Sequence, residues 1–148
     1  MDQLRRDGAE SAQGFIAMWF DDSMEEVYKN ALFPAIRRAG YQPHRVDKRE
    51  HADRIDDEIM AQIRRSKFVV ADFTGHRGGV YWEAGFAKGL EREVFLTCRK
   101  DDIEDLHFDI RQYNCIDWET PEELTDRLQK RIEAVLGRGP LEPVEDED

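Results

Sequence analysis

The residue that most invites a chemical reading is Glu83, in the run Gly79-Val-Tyr-Trp-Glu-Ala-Gly-Phe-Ala87. Its neighbours Tyr81, Trp82, Ala84 and Phe86 leave a carboxylate few solvated faces in an otherwise apolar stretch. Read as the start of a helix, this stretch places the carboxylate near free backbone N–H groups and the positive end of the dipole, which keep it ionised and hold it still. A fixed, ionised carboxylate can act as a nucleophile, or stabilise an oxocarbenium ion, at a sugar C1′. Gly85 and Ala87 let another backbone come close. The plainer alternative for Glu83 is a helix-start acid paired to Arg77 or Lys88. Asp72 is the second such residue. It closes the apolar run Lys67-Phe-Val-Val-Ala-Asp-Phe73, where a charge is costly unless bonded. It reads either as an active-site acid or orienting group, or as a cap for the turn from Thr74 to Gly79. Asp21, Asp22 and Ser23 offer a third group. They cap the first helix, with Ser23 as N-cap, unless one aspartate holds a ribose hydroxyl.

Positioning these side chains falls to an alternation of short apolar runs and helical periods. Phe15 to Phe20 has strand length. Met24, Val27, Tyr28, Ala31, Leu32, Ala35 and Ile36 repeat at helical spacing, with Pro34 expected to kink the helix and Gly40 to end it. Tyr41 to Val46 is a more polar second strand. Ile55, Ile59, Met60 and Ile63 mark a second helix, Lys67 to Phe73 a third strand buried on both faces, and Tyr81 to Leu90 a short helix. Glu93 to Cys98 and Tyr113 to Trp118 are the fourth and fifth strands. Pro121 to Leu136 is an amphipathic last helix capped by Thr120. The expected fold is α/β: a flavodoxin-like, doubly wound, five-stranded parallel sheet of order 2-1-3-4-5, spanning residues 14–136, with a polar, disordered lead-in (1–13) and an acidic tail (137–148). In such sheets ligands bind at the carboxyl ends of the strands, where the order reverses. The loops expected there carry Phe20 to Ser23; Arg45, Val46 and Asp47; Asp72 to Gly79, including Thr74, Gly75 and Arg77; and Cys98 to Lys100. Asp21, Asp22, Asp47, Asp72 and Glu83 are expected to border one crevice.

The chain has 148 residues, enough for one domain with a substantial core. A net charge of -11 argues against a nucleic-acid backbone or an anionic membrane as partner. It leaves room for a small phosphorylated ligand in a local pocket. The two cysteines, Cys98 and Cys115, read as small buried thiols. No apolar run approaches the length of a membrane span and the N-terminus lacks a signal-peptide core, so a reducing, cytoplasmic setting is expected. His44, His51 and His76 lack metal spacing, Gly78-Gly79 is too short for a dinucleotide fingerprint, and no P-loop is present, so neither metal nor cofactor is expected. His107-Phe-Asp-Ile-Arg111 reads as an internal ion pair fixing its loop, or else as part of the pocket rim.

Phe15-Ile-Ala-Met-Trp-Phe-Asp-Asp-Ser23, Ile55-Asp-Asp-Glu-Ile59 with Ser66, Val69-Val-Ala-Asp-Phe-Thr-Gly75, Val80-Tyr-Trp-Glu-Ala-Gly-Phe-Ala87 and Phe108-Asp-Ile-Arg111, in this order, resemble the nucleoside 2-deoxyribosyltransferase-like superfamily. Within it they resemble the branch of TIR-like predicted nucleotide-binding proteins. The resemblance implies a flavodoxin-like fold and cleavage of the bond between a base and C1′ of a ribose or deoxyribose. It implies Glu83, in a Glu-x-Gly-x-Ala motif, as nucleophile, and Asp72 as the group that assists at the base or orients that glutamate. Trp19, Phe20 and Asp21 would line the sugar and base pocket, and Trp19, Phe20, Tyr81 and Trp82 suit base stacking. The transferases usually carry a second acid shortly before the nucleophile. Here that region is His76-Arg77-Gly78-Gly79, and Arg77 suits a phosphate, which favours a nucleotide and hydrolysis. The expected partner is thus a small nucleotide or nucleoside, with a homodimer reasonable. NAD cleavage of the TIR-like kind and nucleotide sensing without turnover are the other readings. A phosphoacceptor receiver would need a lysine ending the fifth strand, where Asp117-Trp118-Glu119 stands.

Overall fold

The computed structural model describes residues 8–46, 55–105 and 114–142. Asp47, His51 and the segment 107–111 lie outside the described residues. The run Phe68-Val-Val-Ala-Asp72 becomes β3, buried at every position, as a strand covered on both faces requires. Around it, β1 (Gln13–Ala17), β2 (Gln42–His44), β4 (Glu93–Arg99) and β5 (Ile116–Trp118) complete a five-stranded sheet of order β2-β1-β3-β4-β5. All neighbours run parallel. The expected α/β flavodoxin-like architecture is the one observed.

Side-chain alternation along the strands divides the core in two. Ile16, Met18, Phe68, Val70, Phe95, Ile116 and Trp118 point to one face. There they pack against α1 (residues 25–38) and α4 (Pro121–Leu136). Phe15, Ala17, Val69, Ala71, Phe73, Leu96 and Cys98 point to the other. That face is covered by α2 (Ile55–Arg65) and α3 (Gly78–Gly89).

Ahead of Pro34, α1 widens into a π turn. A proline ring crowds the carbonyl four residues back, here that of Asn30, and offers it no N–H. Residues Tyr28–Leu32 accordingly form a π turn, and the Phe33 N–H bonds to the Tyr28 carbonyl. The Asn30 carbonyl receives the Thr125 hydroxyl of α4 at 3.0 Å, although that single proton is shared with the Pro121 carbonyl at 2.8 Å.

β1 begins earlier and ends earlier than expected. It pairs from Gln13 with Gln42 and stops opposite Ala71, so Trp19 and Phe20 leave the sheet and enter the loop. Contacts also extend past both expected domain ends. The Ala12 carbonyl receives Gln42 N–H at 2.7 Å, and the Ala9 carbonyl receives Lys67 Nζ at 2.9 Å. At the other end, Gly139 N–H donates to the Ala39 carbonyl at 2.8 Å and Leu141 N–H to the Gly40 carbonyl at 3.0 Å. Gly40 has φ 97°, and a Cβ on Gly139 would stand 2.2 Å from the Gly40 oxygen, so this crossing takes two glycines.

Candidate functional site

Val80, Glu83, Ala84 and Ala87 form the buried face of α3, at the three- and four-residue spacing of one helical stripe. Glu83 is the one charged member, 3% exposed. One turn earlier, Gly79 leaves open the space beside its carboxylate: a Cβ there would lie 4.0 Å from Glu83 Oε1. The helix starts at Gly78 rather than near Tyr81. Glu83 is therefore in the second turn, beyond the free N–H groups and dipole end assigned to it from sequence. Its carboxylate is instead buried in the helix–sheet seam.

Asp72 is fully buried and every contact of its carboxylate is internal. Oδ1 accepts the Thr74 N–H at 3.0 Å. Oδ2 accepts the Thr97 hydroxyl at 2.5 Å and the Trp118 indole N–H at 3.0 Å. Burial pushes its pKa up, against the pull of these hydrogen bonds from Thr97, Thr74 and Trp118. The Thr74 bond is the turn-capping role; the other two tie β3 to β4 and β5. Asp72 follows Phe68 and Val70 in the alternation and meets Trp118, so it lies on the α1/α4 face, whereas Glu83 enters from α3 on the opposite face. The structure does not bring these two carboxylates together. Thr97 and Trp118 were missed in the sequence. Their signal is the register, which sets Asp72 beside Thr97 and Arg99 beside Trp118 and appears only once the strands are paired.

The loop from β3 to α3 is shaped by two left-handed residues, Gly75 (φ 86°) and His76 (φ 51°). A Cβ on Gly75 would come within 2.4 Å of the Trp19 ring, so glycine is what allows the indole to lie on the loop. Gly75 N–H donates to Asp102 Oδ2 at 2.9 Å, and Thr74 Oγ1 accepts the Arg99 N–H at 3.0 Å. The His76 ring nitrogens are both buried without a hydrogen-bond partner. The Arg77 guanidinium lies over the Trp19 ring, 4.6 Å from its centroid. Tyr81 packs on Phe73 at 4.5 Å. Thus Trp19, Gly75 and Arg77 meet beyond the ends of β1 and β3, whereas Tyr81 packs against the α2/α3 side of the core. Trp82 does neither: it is 50% exposed on the outside of α3, stacked on Phe86.

Asp21, not Ser23, is the N-cap of the Asp22–Met24 turn. Its Oδ2 accepts both the Ser23 N–H at 3.1 Å and the Ser23 hydroxyl at 2.5 Å, and these bonds hold its pKa below the ordinary value. Arg45 is engaged elsewhere: Nη1 lies 3.0 Å from Glu25 Oε1 and Nη2 3.4 Å from Oε2, while its guanidinium covers the rings of Tyr28 and Phe20. It locks the end of β2 to α1.

A polar cleft of about 270 Å³ opens at the ends of β4 and β5, lined by Arg99, Lys100, Asp101, Trp118 and Glu119. A second, of about 200 Å³, lies at the opposite edge of the sheet among Lys88, Glu93, Phe95, Arg131 and Val135. Glu83 lines neither. Among the described residues no group of three or more His, Cys, Asp or Glu is arranged to hold a metal ion. No helix among them is long and apolar enough to cross a membrane. Comparison of the sequence with models of known protein families and with curated proteins gives no match.

Proposed function

We propose that the chain cleaves the N-glycosidic bond of a nucleotide or nucleoside, with Glu83 as nucleophile. The observation that carries this reading is a carboxylate, 3% exposed, on the otherwise apolar buried face of α3, with a glycine one turn before it whose missing side chain leaves space beside Oε1. In the proposed step a Glu83 oxygen bonds to C1′ as the C1′–N bond breaks. The electron pair leaves with the base, which takes a proton from water. Water, or a second base, then releases the sugar from Glu83. The aromatic rings of Trp19 and Tyr81 suit the base, and the exposed Arg77 suits a phosphate. Asp72, lacking any solvent contact, serves in this reading as a positioning residue through Thr74 and Trp118. NAD cleavage at the nicotinamide–ribose bond is the same chemistry on another substrate.

The test is a chromatographic search for free base after incubation with NAD, deoxynucleosides and nucleoside monophosphates, beside Glu83→Gln. Base released by the wild type and lost in the variant is expected. The near-complete burial of both carboxylates favours one other reading, a module that binds a nucleotide without turnover. Saturable nucleotide binding with no base released from any compound would establish that reading and sink the first.

A further inference from the structure

The cleft at the ends of β4 and β5 holds mixed charges, and most are accounted for. Lys100 Nζ lies 3.0 Å from Glu119 Oε1, so these two offset each other. Asp102, just beyond, accepts the Gly75 N–H, and Asp101 is exposed. Arg99 is different. Its guanidinium lies over the Trp118 ring, 5.1 Å from the centroid, with Nη2 4.0 Å from the Met24 sulfur. Among the described residues no carboxylate stands within ion-pair reach of it, in a chain whose net charge is -11. None of its nitrogens is buried without a partner, so its remaining donors face solvent in the cleft.

Arg99 is also held from below. Its backbone N–H donates to Thr74 Oγ1 at 3.0 Å, and the Thr74 N–H donates to Asp72 Oδ1 at 3.0 Å. The indole on which it rests donates to the other oxygen of the same carboxylate at 3.0 Å. One buried aspartate therefore fixes both the platform and the backbone of the arginine. A guanidinium presents its N–H groups as a planar fork, the geometry that matches two oxygens of a phosphate. Fixing it beforehand removes the ordering cost that an arginine otherwise meets on binding.

We propose that Arg99 is an anion-binding residue that takes a phosphoryl group in the cleft between β4 and β5. This deepens the glycosidic reading and rests on it for what the phosphate is attached to: the substrate is then a nucleoside phosphate.

The experiment is a titration with inorganic phosphate, at ionic strength held constant with chloride, that follows the tryptophan indole N–H resonances by NMR. The Trp118 N–H, lying beneath Arg99, is the reporter. It is expected to shift saturably, and Arg99→Gln is expected to weaken binding about tenfold or more, as loss of a charge-assisted contact does. Arg65→Gln, at an exposed arginine on the opposite edge of the sheet, leaves binding unchanged. No saturable shift of Trp118, or equal losses in the two variants, overturns the proposal. Arg99→Lys, which keeps the charge without the fork, is expected to fall between wild type and Arg99→Gln. Thermal unfolding of each variant separates lost binding from lost fold. Phosphate binding requires no turnover, so Glu83→Gln retains it. Phosphate bound at Arg99 without base release therefore overturns only the glycosidic reading. Glu83-dependent base release with Arg99 silent overturns only this one.

Discussion

At the scale of single residues, two acids that look alike in sequence occupy opposite situations. Glu83 sits in a helix–sheet seam with a glycine leaving room beside it, and Asp72 is enclosed by three hydrogen bonds. Glu83→Gln is expected to keep the fold and lose base release by at least a hundredfold, the order seen when a reacting carboxylate is neutralised, read from single-turnover rates. Gly79→Leu is expected to cover Glu83 Oε1 and lose activity while the thermal midpoint rises or holds, since leucine is the better helix former. For Asp72 the prediction concerns pH. Its carboxyl pKa is raised in the folded chain by burial, so between the ordinary value of 3.8 and its folded value the native state holds the proton more tightly than the unfolded chain. Its contribution to stability therefore grows as pH falls through the folded value and is lost as pH rises. Denaturant unfolding followed upward in pH from 3.8 is expected to show this stability falling away in the wild type and not in Asp72→Asn. Both acids were legible as unusual because each interrupts an apolar run. Their separation was not, because whether a strand-end side chain faces α3 or α4 depends on the strand parity at Asp72. Glu83's turn was misplaced because Gly78-Gly79 reads as loop. Arg77 is in fact an extended N-cap residue, and the two glycines fill a first turn whose N–H groups need no helical partner.

At the scale of elements, the strand–helix alternation made the sheet order readable, because short crossovers between apolar runs leave few parallel arrangements. What connects the elements was not readable, since it depends on pairs brought together across the register. The Trp19–Gly75 contact is one such pair. Gly75→Ala meets both a left-handed φ and the indole, and is expected to cost about 1–3 kcal/mol and to displace Trp19, seen by denaturation and by tryptophan fluorescence. The bond from Thr125 to the Asn30 carbonyl is another. Pro34 predicted a disturbed helix, but nothing near it in sequence announced that a hydroxyl from α4 would meet the carbonyl it frees. Thr125→Val is expected to lose about 1 kcal/mol by chemical denaturation.

At the scale of the whole molecule, the two thiols are passive. Burial pushes the Cys98 thiol far up and the Cys115 thiol up to about 12, so neither forms appreciable thiolate near neutral pH. Cys98 is buried as expected and Cys115 only partly so; thiol reagents are expected to label Cys98 only after unfolding and Cys115 slowly before it, and reductant to leave the unfolding midpoint unchanged. Composition had made a packed domain legible. It had not shown that segments 8–12 and 137–141 belong to the packing, because Ala9, Ala12, Gly139 and Leu141 join it through backbone groups rather than as an apolar run. The Gly40–Gly139 crossing lies where α1 turns into β2, and the Ala12 and Ala9 carbonyls are engaged beside the starts of β2 and β3. The described chain thus enters and leaves at the edge of the sheet opposite Trp19, Arg77 and Arg99. A tether, a fused neighbour or a solid support joined through either of these segments would hold the molecule by its base and leave the candidate site facing outward.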